Sequence, residues 1–126
     1  MTTAILAIHP RHVAAILAGH KTVEIRRVVP ARNVTRLVIY ETAPASRVVA
    51  ECDVHATVGE PDAIWRTHRS WMAVTRREFD AYLRGRDRAC ALLLGPIREP
   101  RSHLLADYGQ RRPPQSWAYV PEGRSS

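Results

Sequence analysis

From Arg47 to Val58 the chain alternates without a break. Val48, Ala50, Cys52, Val54, Ala56 and Val58 fall on one side; Val49, Glu51, Asp53, His55 and Thr57 fall on the other. A period of two held over that length is the signature of a β-strand. Shorter strands surround it. Ala4 to Ile8 is an apolar run that reads as a buried strand. Thr22 to Arg26 alternates, with Val23 and Ile25 on one face and Thr22, Glu24 and Arg26 on the other. Arg36 to Thr42, centred on Leu37-Val38-Ile39-Tyr40, reads as a strand stopped by Pro44. Arg88 to Ile97 contains Ala89-Cys90-Ala91-Leu92-Leu93-Leu94, apolar on both faces and therefore central, with Pro96 and Pro100 at its frayed end. Pro113 to Val120 is extended and reads as an edge strand after a rigid turn.

The helical signals are short. His9-Pro10 opens one helix, since proline suits the first helical position. Val13, Ile16 and Leu17 give it an apolar face, and Gly19 ends it at a left-handed cap. Glu60-Pro61-Asp62 opens a second, with Ile64 and Trp65 expected inside. Thr75-x-x-Glu78 is a capping box, followed at helical spacing by Phe79, Tyr82 and Leu83 and closed by Gly85. Ser102 to Tyr108 reads as one helical turn. Strands outnumber helices, and helices interrupt them at irregular intervals. That pattern suits an α+β fold, a small mixed β-barrel carrying short helices, better than a parallel βαβ sheet. The 126 residues fit one domain over 1–120 with a polar tail at 121–126.

Hydrophobic residues make up 45% and charged residues 25%, enough to bury a core. No apolar run approaches the length of a membrane span, and Met1-Thr2-Thr3-Ala4 lacks a basic signal-like start. The expectation is a cytoplasmic protein with Cys52 and Cys90 as reduced core thiols and no membrane partner. A net charge of +7 attracts polyanions, although a solvated basic surface would give the same number. The split within it is more pointed: of 19 basic residues only Lys21 is a lysine. A compact ammonium that can lose its proton when desolvated differs from a guanidinium, so this position calls for lysine or retains it by chance.

Lys21, Glu24 and Arg26 lie on or beside one short strand. Lysine and arginine can hold phosphate, Arg26 as a planar fork. Glu24 can accept hydrogen bonds from the edge of a base or take a proton as general base, and two neighbouring cations favour the first. An ordinary surface ion pair would have the same spacing. Unpaired bases stack on aromatic rings, which brings in Tyr40, Trp65, Trp71, Trp117 and Tyr119. Trp65 and Phe79 read as core. Gln115 and Ser116 supply donors and acceptors for a base edge. Arg76, Arg77, Arg84, Arg86 and Arg88, or Arg111 and Arg112, suit a phosphate backbone or a solvated face. Cys52-x-x-His55 lies on a strand and points two ways, and His9 and His12 have no acidic neighbour in sequence, so no metal set emerges. No phosphate-binding glycine loop is present, and no cofactor is expected.

The segment Ile8-His9-Pro10 to Arg27 resembles the ASCH domain, whose hallmark is an apolar strand, a short helix and then G-x-K-x-x-E-x-R. Gly19-His20-Lys21-Thr22-Val23-Glu24-Ile25-Arg26 fits it throughout. Ile39-Tyr40, the strand from Val48 to Val54, Thr75-x-x-Glu78-Phe79-x-x-Tyr82 and Pro113-Pro114-Gln115-Ser116-Trp117 extend the likeness from about Thr3 to Val120, the last two toward the branch of predicted transcriptional regulators. The resemblance implies a PUA-like pseudo-barrel with flanking helices. It also implies a cleft for RNA, another single-stranded nucleic acid or a modified nucleoside, lined by Lys21, Thr22, Glu24, Arg26, Arg27, Tyr40, Gln115, Ser116 and Trp117. Members include RNA-binding regulators, a ribonuclease, and an amidohydrolase that deacetylates acetylcytidine through a lysine, a threonine three residues on and a distant glutamate. Lys21 matches that set, Glu24 occupies the threonine position, and Glu78 is the candidate for the distant acid. Two readings stay open: a regulatory binding module, and a hydrolase on the same cleft with Lys21 and Glu24 as catalytic groups, either a metal-independent ribonuclease or an amidohydrolase.

Overall fold

The computed structural model describes residues 2–121, so the tail beyond Pro121 lies outside the described residues. Six strands form one mixed sheet: β1 (Thr2–Ile8), β2 (Val23–Arg26), β3 (Val34–Glu41), β4 (Arg47–Gly59), β5 (Ala89–Leu94) and β6 (Trp117–Tyr119). Their order is β2-β5-β4-β3-β1-β6. Three short helices decorate it: α1 (Pro10–Leu17), α2 (Pro61–His68) and α3 (Arg76–Tyr82), with 3₁₀ turns at Arg69–Trp71 and Leu105–Tyr108. The α+β expectation holds. The barrel does not close, because β2 and β6 are the two edges and do not pair with each other.

The alternating strand is the organiser. The first half of β4 pairs with β3, Arg36 opposite Asp53, and its second half pairs with β5, Val54 opposite Leu94. The change of partner falls between Asp53 and Val54, where the Gly95 N–H donates to the Asp53 carbonyl at 2.8 Å. A Cβ at Gly95 would stand 3.3 Å from that oxygen, so glycine permits the approach. Only the first part of the apolar face is sealed: Val48, Ala50, Cys52 and Val54 are buried, whereas Val58 is 42% exposed. β1 lies between β3, its parallel neighbour, and β6, its antiparallel one.

The caps behave as the sequence predicts. Thr75 Oγ1 accepts from the Glu78 N–H at 3.1 Å, and the Glu78 carboxylate accepts from the Thr75 N–H at 2.9 Å. Gly19 has φ +83, the left-handed conformation that ends α1. Val13 and Ile16 fill the core side of α1, but Leu17, expected on that face, is 53% exposed. α1 spans only eight residues and buries Val13 and Ile16, which leaves Leu17 on its exposed side. Ile64 is buried in α2, and Trp65 is half-buried with its ring centroid 5.2 Å from that of Phe79.

Candidate functional site

The chain leaves α1 through Gly19, and the His20 and Lys21 N–H groups both turn back to the Ala15 carbonyl, at 3.0 and 3.1 Å. That wrap fixes the start of β2. The Thr22 N–H then donates to the Trp71 carbonyl at 2.9 Å, and Lys21 Nζ reaches the Met72 carbonyl at 2.5 Å. The sole lysine is thereby held against the turn that precedes α3, and is 2% exposed.

The polar face of β2 is not in water. Glu24 is 7% exposed and Arg26 is 9% exposed. Glu24 Oε1 lies 3.2 Å from Lys21 Nζ, and Glu24 Oε2 accepts from Arg26 at 2.8 Å. The same Arg26 nitrogen donates to the Ala7 carbonyl at 3.0 Å, while the other terminal nitrogen donates to Ser116 Oγ at 3.0 Å. The guanidinium thus crosses from edge strand β2 to β1 and to the residue before β6. A side chain spans the seam that no strand pairing closes.

Beside this seam is a hollow of about 270 Å³ lined by Ala7, Ile8, His9, His12, Lys21, Glu24, Ile25, Arg26, Val74, Glu78, Phe79 and Tyr82. Its walls are largely apolar and its polar groups are concentrated. Two cations and one carboxylate, all buried, leave one net positive charge, and uncompensated buried charge favours an anionic or electron-rich guest. Across α1 and α3, Arg11 pairs with Glu78 at 2.7 Å. The Arg11 hydrogen bond, with help from Thr75, pulls the Glu78 carboxyl down to about 2. His12 is shifted downward, first by burial and then by Lys21.

The predicted site residues divide. Lys21, Glu24 and Arg26 converge on the hollow, with Ser116 hydrogen-bonded to Arg26. Thr22 is half-buried and lines a separate, smaller depression with Lys21 and Pro96. Arg27 is exposed, its guanidinium 4.9 Å from the ring centroid of Tyr82. Tyr40 is 4% exposed and packs with Ile5, Val38, Val48 and Tyr108, away from the hollow. Trp117 packs against the main core, and Gln115 is exposed. Tyr119 sits under Arg32 at 4.5 Å, and Trp71 is 54% exposed. Of the basic clusters, Arg76 is engaged by Asp62 at 2.6 Å and Asp80 at 3.0 Å. Among the described residues no three His, Cys, Asp or Glu side chains gather as metal ligands, and no helix is long and apolar enough to cross a membrane.

His12 and Tyr82 were missed as lining groups. His12 precedes Ile16 by four residues, so it borders the buried stripe of α1, a signal readable in the sequence.

The mixed sheet with three helices matches solved ASCH structures. The crystal structure of ASCH from Zymomonas mobilis aligns over 97% of this chain and 90% of that one, with TM-score 0.84 and 25% identity. A variant of the same protein with a tyrosine replaced by phenylalanine gives TM-score 0.85 at 24% identity. In sequence, the ASCH domain-containing ribonuclease of Zymomonas mobilis is 29% identical over 123 residues, 93% of this chain and 83% of that protein. The large ribosomal subunit protein uL22 of Ureaplasma parvum is 30% identical over 104 residues, and the match spans only 33% of that protein. No protein-family model matches the chain. Sequence and structure together support the ASCH domain family.

Proposed function

We propose that this protein binds single-stranded RNA, seats one nucleotide in the hollow above Lys21, Glu24 and Arg26, and cleaves the backbone beside it. The observation that carries the reading is the buried three-charge array with one net positive charge, open to a cavity walled by apolar side chains. Such a floor attracts phosphate or the acceptor edge of a base, and the walls suit the faces of a ring. Charge building on phosphate in the transition state is stabilised by fixed cations in a low-dielectric site, the part Lys21 and Arg26 can play. A relative of similar length that is named a ribonuclease supports RNA as the partner.

A second reading is favoured by one observation: Glu78 lines the same hollow as Lys21. That pairing suits amide hydrolysis on an acylated nucleoside such as acetylcytidine, although Glu78 is already held by Arg11 and Thr75.

The test is direct. Labelled single-stranded RNA and, separately, acetylcytidine are incubated with the wild type and with Lys21→Arg. RNA retention that falls steeply with salt, with cleavage lost in Lys21→Arg, supports the first reading. Release of acetate without RNA cleavage supports the second. RNA retention without either product would make the domain a binding regulator. Failure to retain RNA at low salt overturns the RNA reading.

A further inference from the structure

His12 stands on α1 at the wall of the hollow, beside Lys21 and Glu24. Its Nδ1 is sealed from solvent with no partner, and among the described residues Nε2 makes no hydrogen bond either. A sealed N–H without an acceptor costs more than a sealed lone pair, and orphaned N–H groups are the rarer of the two in proteins. The proton of the neutral ring therefore belongs on Nε2, the nitrogen left to serve the hollow.

We propose that His12 is a specificity-determining donor of the hollow, presenting Nε2–H to an acceptor oxygen of the nucleotide seated there. This rests on the RNA reading above and adds which atoms the site selects. The groups around His12 keep the ring neutral. Burial disfavours its charged form most and Lys21 next; Glu24 opposes them, Arg11 adds a smaller push downward, and Glu78 opposes least. Each oxygen of the two carboxylates already takes one donor: Glu24 from Lys21 and Arg26, Glu78 from Arg11 and the Thr75 N–H. Lys21 has a third ammonium hydrogen beyond those directed at Met72 and Glu24. The donors left without a partner at the hollow are His12 Nε2–H and the third Lys21 hydrogen, and both call for acceptors on the guest. A base carbonyl and a phosphate oxygen share that chemistry.

The experiment uses the full chain with uridine, inorganic phosphate and oligouridylate as separate probes, on the wild type, His12→Gln, His12→Leu and Lys21→Ala. Nitrogen-15 NMR of the imidazole in the free wild type is expected to show the Nε2–H tautomer. His12→Leu is expected to weaken binding of uridine, if the acceptor is a base carbonyl, or of phosphate, if it is a phosphate oxygen, by about tenfold, and His12→Gln, which keeps a donor, by much less. An Nδ1–H tautomer overturns the proposal. So does unchanged binding of both probes by His12→Leu when Lys21→Ala abolishes it. Should His12→Leu not fold, the tautomer and the glutamine variant decide. Absence of oligouridylate binding by the wild type sinks the RNA reading separately, and the tautomer with the two small probes still judges His12.

Discussion

Replacing Glu24 with glutamine should destabilise this protein more than any other single change at the site. The substitution keeps shape and removes charge, stranding Lys21 and Arg26, which are 2% and 9% exposed. At an effective dielectric of about 20, Coulomb's law gives roughly 5 kcal/mol for Lys21–Glu24 at 3.2 Å and roughly 6 kcal/mol for Glu24–Arg26 at 2.8 Å. Those attractions are largely offset by the several kcal/mol, on the order of each ion's desolvation, that burial of three charges costs. Removing one partner exposes the asymmetry, because the remaining charges stay buried without compensation, and about 3–5 kcal/mol of stability is lost. A domain of this size has about 5–15 kcal/mol in total. Urea denaturation of the wild type and Glu24→Gln measures the loss. With a slope of about 2 kcal/mol per molar, the midpoint should fall by roughly 1.5–2.5 M. Adding Lys21→Met should recover part of the loss, because it returns the buried net charge to +1, and the coupling between the two changes should exceed about 1 kcal/mol. A Glu24→Gln loss below about 1 kcal/mol with an unchanged slope, the size of an ordinary surface substitution, would refute the interlocked array.

Other outcomes follow from the same geometry. Lys21→Arg places a broader head in a site that already touches Met72 and Glu24, and should cost about 1–3 kcal/mol by denaturation. Ser116→Ala removes the oxygen that accepts from Arg26 at 3.0 Å and should cost about 1–3 kcal/mol in a thermal melt, as for a hydrogen bond to a charged group. His12 titrates below its usual 6.5 in the fold, so the folded state binds fewer protons than the unfolded chain; stability should fall as pH drops through that value, and His12→Gln should flatten the slope in denaturation curves from pH 8 to 5. Glu78 titrates at about 2, chiefly through Arg11, so that its stabilising contribution holds above its ordinary value and is lost on acidification toward 2. An NMR titration should show that midpoint, and Arg11→Ala should raise it.

Local rules read the local parts well. The alternation of β4, the Thr75–Glu78 box and the turn at Gly19 each depend on a few adjacent residues, and each appears where the pattern places it. The same alternation assigned Glu24 and Arg26 to one face of β2 but did not say what covers that face. Residues of β1, α1 and α3 gather around it, and Arg26 also reaches Ser116, 90 residues away. Tyr40 shows the converse. It shares a face of β3 with Val38, and the ring joins Ile5 and Tyr108 instead of the hollow. Glu51 was also unremarkable in sequence, yet it is 8% exposed and accepts from the Tyr108 hydroxyl at 2.8 Å and the Arg101 N–H at 2.9 Å. Burial and that acceptor together push the Tyr108 hydroxyl up to about 12.

The seam explains why charge is buried here at all. An open sheet leaves two edges with backbone groups to satisfy, and an unprotected edge invites pairing with other chains. Here the edge strands β2 and β6 do not pair, and Arg26 links β2 to β1 and to the residue before β6, its guanidinium having enough hydrogens to serve Ala7, Ser116 and Glu24 at once. A bridge made of a side chain leaves side-chain-sized space beside it, and that space is the hollow. The bridge must be cationic to supply so many donors, so Glu24 is needed to offset it, and Lys21, anchored on Met72, fixes Glu24 from the other side. Two cations against one carboxylate leave the hollow attractive to anions. The side-chain link from β2 to β1 and ligand attraction therefore rest on one set of atoms, and a ligand that satisfies the surplus charge should also strengthen that link.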